Sequence, residues 1–292
     1  MNTIPRLLLD LWPHLCLLGS FAAFIFWNGG VVLGDKTNHV ATIHLAQMLY
    51  MWPFIVFFSW PAMLPQITDL RALVYRLPRL WVIAATMLPM LGIVHYNTVV
   101  HKFLLADNRH YAFYVFKLLR SASWTWYALV PVYTVCAWLS IQALGSKQSV
   151  VEGSVITSSQ ERKLSTSSGG GGSAVAEVEV NRITFLIVWL ASTALSLITA
   201  PLVEPRYFIM PWLMWRLHVP DLAEVLEEGQ EAGRKDKSSQ MQVERILVAL
   251  ARGSLWIEVA WYMLINLVTC RLFLFNGFTW AQEPGSIQRF MW

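Results

Sequence analysis

Charge is what this sequence has least of. Only 14% of its 292 residues are Asp, Glu, Lys or Arg, against roughly 25% in a soluble domain. That shortage excludes an ordinary water-soluble fold of this length. Cysteine is scarce as well. Cys16, Cys136 and Cys270 each sit inside an apolar block, and no two are close in sequence. Neither a metal-binding spacing nor a disulfide framework is present, so all three read as packing residues. The net charge of +4 is small and spread over several loops, which leaves no basic face to attract nucleic acid. No removable signal peptide is expected either. The first apolar block is too long for a signal core, contains Asp10 and is followed by no clean cleavage site, so it reads as a span.

Apolar residues make up 56% of the chain, with 15 Trp and 15 Phe. They come in blocks of about 20 residues, the length that crosses the hydrocarbon core of a bilayer as a helix. The expected fold is all-α, a polytopic transmembrane helix bundle. Spans are expected at 7–27, 44–64, 80–100, 124–144, 183–203 and 246–275. Residues 111–119 are apolar but too few to cross alone, and read as a re-entrant or interfacial helix. The prolines Pro53 and Pro61 are tolerable inside a span when neighbouring groups satisfy the freed carbonyls.

Two stretches differ in composition. Residues 145–182 are Ser-rich, include four consecutive glycines at 169–172 and have almost no aromatics, so they cannot bury a core and read as a disordered loop. Residues 218–244 form a polar insert with an exposed helix expected over 222–232. The resulting division is 1–144 transmembrane with polar loops, 145–182 loop, and 183–292 transmembrane with the insert. Arg71, Arg76 and Arg79 favour a cytosolic 65–79 connector by the positive-inside rule. Alternation then puts the loops at 28–42, 101–120 and 204–207 on the far side. Lys102, Arg109, Lys117 and Arg120 oppose that rule, and make sense there if they serve an anionic ligand.

Ionisable groups near membrane depth are costly and tend to be functional. Asp35, His39 and His44 bring carboxylate and imidazole together at short spacing, which suits a divalent cation or acid–base chemistry. The same Gly-Asp-Lys-Thr-Asn string is ordinary turn chemistry. The second cluster is Asp107-Asn108-Arg109-His110-Tyr111. There Arg109 and Lys102 have the charge, and Arg109 the fork, to hold a phosphate. Its plain alternative is an interfacial loop with snorkelling basic side chains. The third is Arg206 beside Glu204, either a headgroup contact or an ion pair that satisfies itself at a helix end.

Several strings together resemble one family. They are Asn28-Gly29-Gly30-Val31-Val32-Leu33-Gly34-Asp35-Lys36 with His39, Phe57-Phe58-Ser59-Trp60-Pro61, Leu104-Leu105-Ala106-Asp107-Asn108-Arg109-His110-Tyr111, Glu204-Pro205-Arg206-Tyr207 and the terminal Ile287-Gln288-Arg289-Phe290-Met291-Trp292. The sequence is similar to the dolichyl-phosphoglucose-dependent α-1,2-glucosyltransferases that add the terminal glucose to the lipid-linked oligosaccharide. The resemblance implies a GT-C type membrane fold in the endoplasmic reticulum with a luminal active site. It implies dolichyl phosphate glucose as donor and the Glc2Man9GlcNAc2 lipid-linked oligosaccharide as acceptor. No cofactor is implied, and the need for a divalent cation is left open. The reaction is an inverting displacement in which a carboxylate takes the acceptor hydroxyl proton. Asp35 and Asp107 are the local carboxylates for that role, and His39, Lys102, Arg109, His110 and Arg206 the substrate-binding residues, the last three toward the donor phosphate. Members of the family begin with further spans, and an acidic motif in their first luminal loop supplies the base. The chain is therefore expected to be a C-terminal part of such an enzyme. Rival readings are a transporter and a non-catalytic membrane scaffold. Against a transporter stand the lack of an internal repeat and the placing of the polar clusters at span ends rather than at the midplane.

Overall fold

The computed structural model describes residues 3–30, 43–68, 77–100, 102–105, 108–159, 171–200, 202–219, 240–280 and 283–290. The chain divides into two compact units, Met1–Thr42 and Ile43–Trp292. The first is built on helix α1, Thr3–Asn28. Its residues Leu11–Asn28 are apolar enough to cross a membrane, and none of them is buried. Gly29 ends the helix at φ 67°, a left-handed step that costs glycine nothing. The Gly30 N–H then donates back to the Ile25 carbonyl at 3.2 Å, closing a Schellman-type stop.

The second unit is a helical bundle. Its helices are α2 (Ala46–Thr68), α3 (Leu80–Tyr96), α4 (Tyr111–Leu119), α5 (Trp124–Ala128), α6 (Val130–Ser159), α7 (Gly171–Leu197), α8 (Pro205–His218) and α9 (Gln240–Phe275). A short 3-10 turn, Lys102–Leu105, precedes α4. Helix α2 is central and packs against α6, α8 and α9. Met51, Ile55 and Met63 on α2 are buried with Trp189 of α7 and Phe208 and Trp215 of α8. Elements from both sides of the 145–182 stretch thus share one core.

Tryptophan does much of the joining, because its indole N–H can reach a backbone carbonyl of another helix. Trp189 donates to the Pro211 carbonyl at 2.9 Å and Trp215 to the Ser140 carbonyl at 3.0 Å. Trp261 of α9 donates to the Phe57 carbonyl at 2.8 Å. That last bond explains how Pro61 is accommodated. Proline has no N–H for the carbonyl four residues back, and for Pro61 that carbonyl is Phe57. The helix kinks beside it, with Ser59 at φ −122° and ψ 16°, and the Ser59 hydroxyl accepts from Trp212 Nε1 at 2.8 Å.

Four helices of the described residues have the length and composition of spans, at Leu11–Asn28, Ala46–Leu64, Trp124–Leu144 and Gly253–Phe275. They correspond to four of the six expected. The other two, Leu80–Tyr96 and Ile183–Leu197, are apolar but shorter. Each stops early for a local reason. Asn97 leaves the helix to donate to the Ile43 carbonyl at 2.9 Å. Past Leu197, the Ile198 carbonyl accepts the His44 N–H at 2.8 Å. Leu129 separates α5 from α6 where Pro131 lacks its N–H,.

Helix α4 covers the 111–119 segment expected as a short helix. The stretch expected as a loop over 145–182 differs in part. Helix α6 runs on to Ser159 and α7 starts at Gly171, while 160–170 lie outside the described residues. Polar composition rules out a packed core there, but a helix closes its own backbone bonds and needs none. The helix expected at 222–232 also lies outside the described residues. Helix α8 extends the apolar piece at 208–215 to 14 residues and runs back along α7, so that His218 stacks on Phe185 with ring centroids 3.7 Å apart.

One small element is not helical. Strands β1 (Phe278–Trp280) and β2 (Glu283–Gln288) form an antiparallel hairpin after α9. Gly277 sits at its start with no room for a side chain, because Ile287 presses on that position.

A polar end of the bundle

Five segments far apart in sequence meet at one end of the second unit. The start of α2 is tied to the end of α3, since Asn97 accepts the Leu45 N–H and donates to Ile43. It is tied to the α7–α8 turn as well, where Gln47 Nε2 donates to the Ala200 carbonyl at 2.6 Å and the Leu202 carbonyl at 3.0 Å. Tyr50 reaches α4 through an edge contact with Phe116 at 5.9 Å. Leu104, from the turn before α4, is buried in the same core as Phe116 and Val203.

The fifth segment is the hairpin. Arg109 Nη1 donates to Gln288 Oε1 at 3.2 Å. Phe290 stacks on Tyr111 at 6.1 Å and meets Tyr114 at 5.8 Å and Phe278 at 5.1 Å. Arg289 turns the other way and caps α9 by donating to the Phe273 carbonyl at 2.7 Å and to the Leu274 carbonyl. A cation at a helix C-terminus both fills orphan carbonyls and suits the dipole. Two strings singled out in the sequence, 108–111 and 287–290, are therefore one structural feature.

Of the candidate site residues, Asp35, His39 and Asp107 lie outside the described residues. Lys102 opens the 3-10 turn. Arg109 and His110 are half-buried, with His110 in extended backbone as the cap residue of α4. Beside them the Asn108 Oδ1 is buried without a hydrogen-bond partner among the described residues. Arg206 sits on the first turn of α8, paired with Glu204 and lying 5.6 Å over the Tyr207 ring. The ion pair at a helix end is thus the arrangement present, and the Glu204 carboxylate raises the already high pKa of Arg206. Its side chain is 72% exposed, so the pair adds little stability.

His44 is the most deeply placed ionisable group here. It lies just before the Ala46–Leu64 span, is 0% exposed, and neither ring nitrogen has a hydrogen-bond partner among the described residues. Burial drives its pKa down to about 4, only partly opposed by the nearby Ala200 carbonyl, a carbonyl that Gln47 already occupies. The imidazole is therefore neutral at physiological pH, available as donor and acceptor. Among the described residues Gln47 Oε1 and the Tyr50 hydroxyl are likewise buried without partners. Four unmatched polar groups at one end of a bundle mark it as a place built for polar contacts rather than packing alone.

Two clefts flank α4, and spacing gave no sign of either. One, of about 370 Å³, is lined by His95, Thr98, Arg120, Ser123, Trp126 and Tyr127. In it His95 Nδ1 and the Tyr127 hydroxyl are 2.8 Å apart. The other, of about 720 Å³, is lined by Leu105, Tyr114, Leu118, Lys117 and Ser121, and shares Arg120 with the first. No group of three or more metal-ligating side chains occurs among the described residues.

Comparison with known proteins gives a consistent result. The model of the DIE2/ALG10 family matches residues 1–217. A Dol-P-Glc:Glc(2)Man(9)GlcNAc(2)-PP-Dol alpha-1,2-glucosyltransferase of Emericella nidulans is 38% identical over 352 residues, covering 100% of this chain and 57% of the relative. Proteins of the same name from Aspergillus fumigatus and Debaryomyces hansenii are 37% and 30% identical, over 100% and 96% of the chain and 56% and 51% of their own lengths. The chain thus spans little more than half of the curated relatives it matches. No solved structure matches it.

Proposed function

The chain belongs to the DIE2/ALG10 family, and on that premise we propose that it takes part in glucose transfer from dolichyl phosphate glucose to a Glc2Man9GlcNAc2 lipid-linked oligosaccharide. The observation that carries this reading is the match of the whole chain, at 38% identity, to a relative named for that reaction. The reaction takes place in the endoplasmic-reticulum membrane, with the polar end of the bundle toward the lumen and the α2–α3 connector toward the cytosol. Membrane lipids surround the spans. Arg71, Arg76 and Arg79 in the connector support that orientation,, and the basic residues of 101–120, which run against it, are accounted for by an anionic substrate on that side.

In the transfer the bond between the glucose anomeric carbon and the donor phosphate oxygen breaks. An acceptor hydroxyl oxygen forms the new glycosidic bond, and its proton goes to a carboxylate. Asp35 and Asp107 are the carboxylates of this chain assigned to that role. His39, Lys102, Arg109, His110 and Arg206 are assigned to the substrates. A cationic surround stabilises the negative charge that gathers on the departing phosphate. Arg109 contributes from a position held by the hairpin.

The test is glucose transfer in microsomes lacking the endogenous activity. This chain replaces the matching segment of the Emericella nidulans relative, with dolichyl phosphate glucose and the diglucosylated lipid-linked acceptor supplied. A triglucosylated product is the expected outcome. A well-folded chimera that makes none refutes the reading.

A further inference from the structure

The two clefts along α4 have complementary chemistry on either side of one cation. On one side are hydroxyl, imidazole and indole groups, with His95 and Tyr127 already hydrogen-bonded to each other. On the other are Leu105, Leu118 and the Tyr114 ring. Arg120 lines both. It stands at the end of α4, is exposed, and makes no ion pair among the described residues. Lys117 lies one turn back on the same helix, and among the described residues neither cleft is lined by a carboxylate.

A basic residue with no ion pair among the described residues, set between a polar cleft and an apolar one, fits an anion with a polar group on one side and a hydrocarbon chain on the other. Arginine offers a planar fork that takes two phosphate oxygens at once. Helix α4 exposes Val115 and Leu118, at 54% and 67%, beside these clefts. Nine residues make a helix only about 14 Å long, too short to cross a bilayer and suited to lying at its surface.

We propose that Arg120 binds the phosphate of a polyprenyl-phosphate sugar, with the prenyl chain along Leu105 and Leu118 and the sugar in the cleft of His95, Thr98 and Tyr127. The assignment rests on the donor named above and gives it a place. Lys117 supplies a second positive charge. Tyr127, oriented by His95, presents its hydroxyl to the sugar. Trp126 forms the wall against which the ring lies.

The site is tested on the 292-residue chain in nanodiscs of uncharged phosphatidylcholine. Tryptophan fluorescence reads the titrations, because Trp126 lines the cleft. The probes are a short-chain polyprenyl phosphate, the same lipid phosphate carrying glucose, and inorganic phosphate. Both lipid probes are expected to bind saturably and inorganic phosphate at least about tenfold more weakly, since it lacks the apolar part. Arg120→Gln weakens both lipid probes by about tenfold or more, and Arg120→Lys restores part of the loss. Tyr127→Phe weakens only the glucosylated probe. Arg120 is exposed, so these variants should stay monodisperse, which gel filtration checks. No saturable lipid-phosphate binding, or binding unaltered by Arg120→Gln, overturns the site. Equal binding of inorganic phosphate overturns its lipid part. The same variant in the transfer chimera separates the two claims. Transfer unaffected by Arg120→Gln removes this site and leaves the reaction standing, whereas an inactive, folded wild-type chimera removes the reaction.

Discussion

Replacing Glu258 with Ala is expected to cost about 3–5 kcal/mol and to leave little monodisperse protein in detergent. Glu258 lies on α9 within the Gly253–Phe275 span. Its carboxylate takes a forked pair of bonds from Arg216 of α8, with Nε at 3.0 Å and Nη2 at 2.7 Å. The Tyr262 hydroxyl donates to the same carboxylate at 2.8 Å. The side chains are 22% and 7% exposed, so each charge depends on the other rather than on water. Removing Glu258 takes the forked acceptor away from Arg216 at membrane depth, where a charge short of its counterpart is expensive. Removing both with apolar residues of similar size, as in Arg216→Met with Glu258→Leu, should recover most of the loss. Thermal unfolding of the single and double variants in one detergent checks this. A Glu258→Ala protein as stable as wild type contradicts the reading of the pair as a lock between α8 and α9.

The second large effect is catalytic. In the transfer chimera, Arg109→Ala is expected to lower glucose transfer by about 100-fold, the scale of loss that follows when reacting groups are displaced by about 1 Å. Gln288→Ala should lower it less, because Phe290 still holds the hairpin against Tyr111 and Tyr114. The double variant should be no worse than Arg109→Ala alone, since the two residues share one interaction and their effects do not add. Rates and apparent affinities measured on monodisperse variants separate loss of position from loss of fold. Additive losses, or an Arg109→Ala chimera within about twofold of wild type, contradict the role given to the hairpin.

Much of this architecture was legible in the sequence because the bilayer imposes it. A helix must be apolar over a set length to cross, so blocks of that length located four spans, and the brevity of 111–119 marked α4. What the blocks did not give were the ends set by partners. Asn97 stops α3 through bonds to Ile43 and Leu45, residues more than 50 positions away. Composition also misled at 145–182. It gave no sign of regular structure, but α6 and α7 run into that segment because a helix needs no core to close its own bonds. The hairpin was missed because its six-residue strand β2 carries no alternating pattern.

The candidate site was legible as strings and not as geometry. The 108–111 and 287–292 strings each stood out, yet nothing in either showed that Arg109 and Gln288 meet. Glu204 and Arg206 are near in sequence, so their pairing was foreseeable and was foreseen as one alternative. Arg120, His95 and Tyr127 went unnoticed as a group, because residues 32 positions apart give no local signal of contact. The clearest clue was the unusual basicity of 101–120 on the side that should be poor in Lys and Arg.

The whole account turns on the polar end of the bundle facing the lumen, where the proposed acceptor waits. Cysteine accessibility in sealed endoplasmic-reticulum microsomes tests it directly. On a background with Cys16, Cys136 and Cys270 replaced, single cysteines are placed at Ser121 and Asn108, with Leu77→Cys as a marker of the opposite end. A membrane-impermeant maleimide is then added outside. The account predicts that Leu77→Cys labels at once, and that Ser121→Cys and Asn108→Cys label only after the membrane is opened. Labelling of Ser121→Cys in sealed vesicles would put the polar end in the cytosol and contradict it.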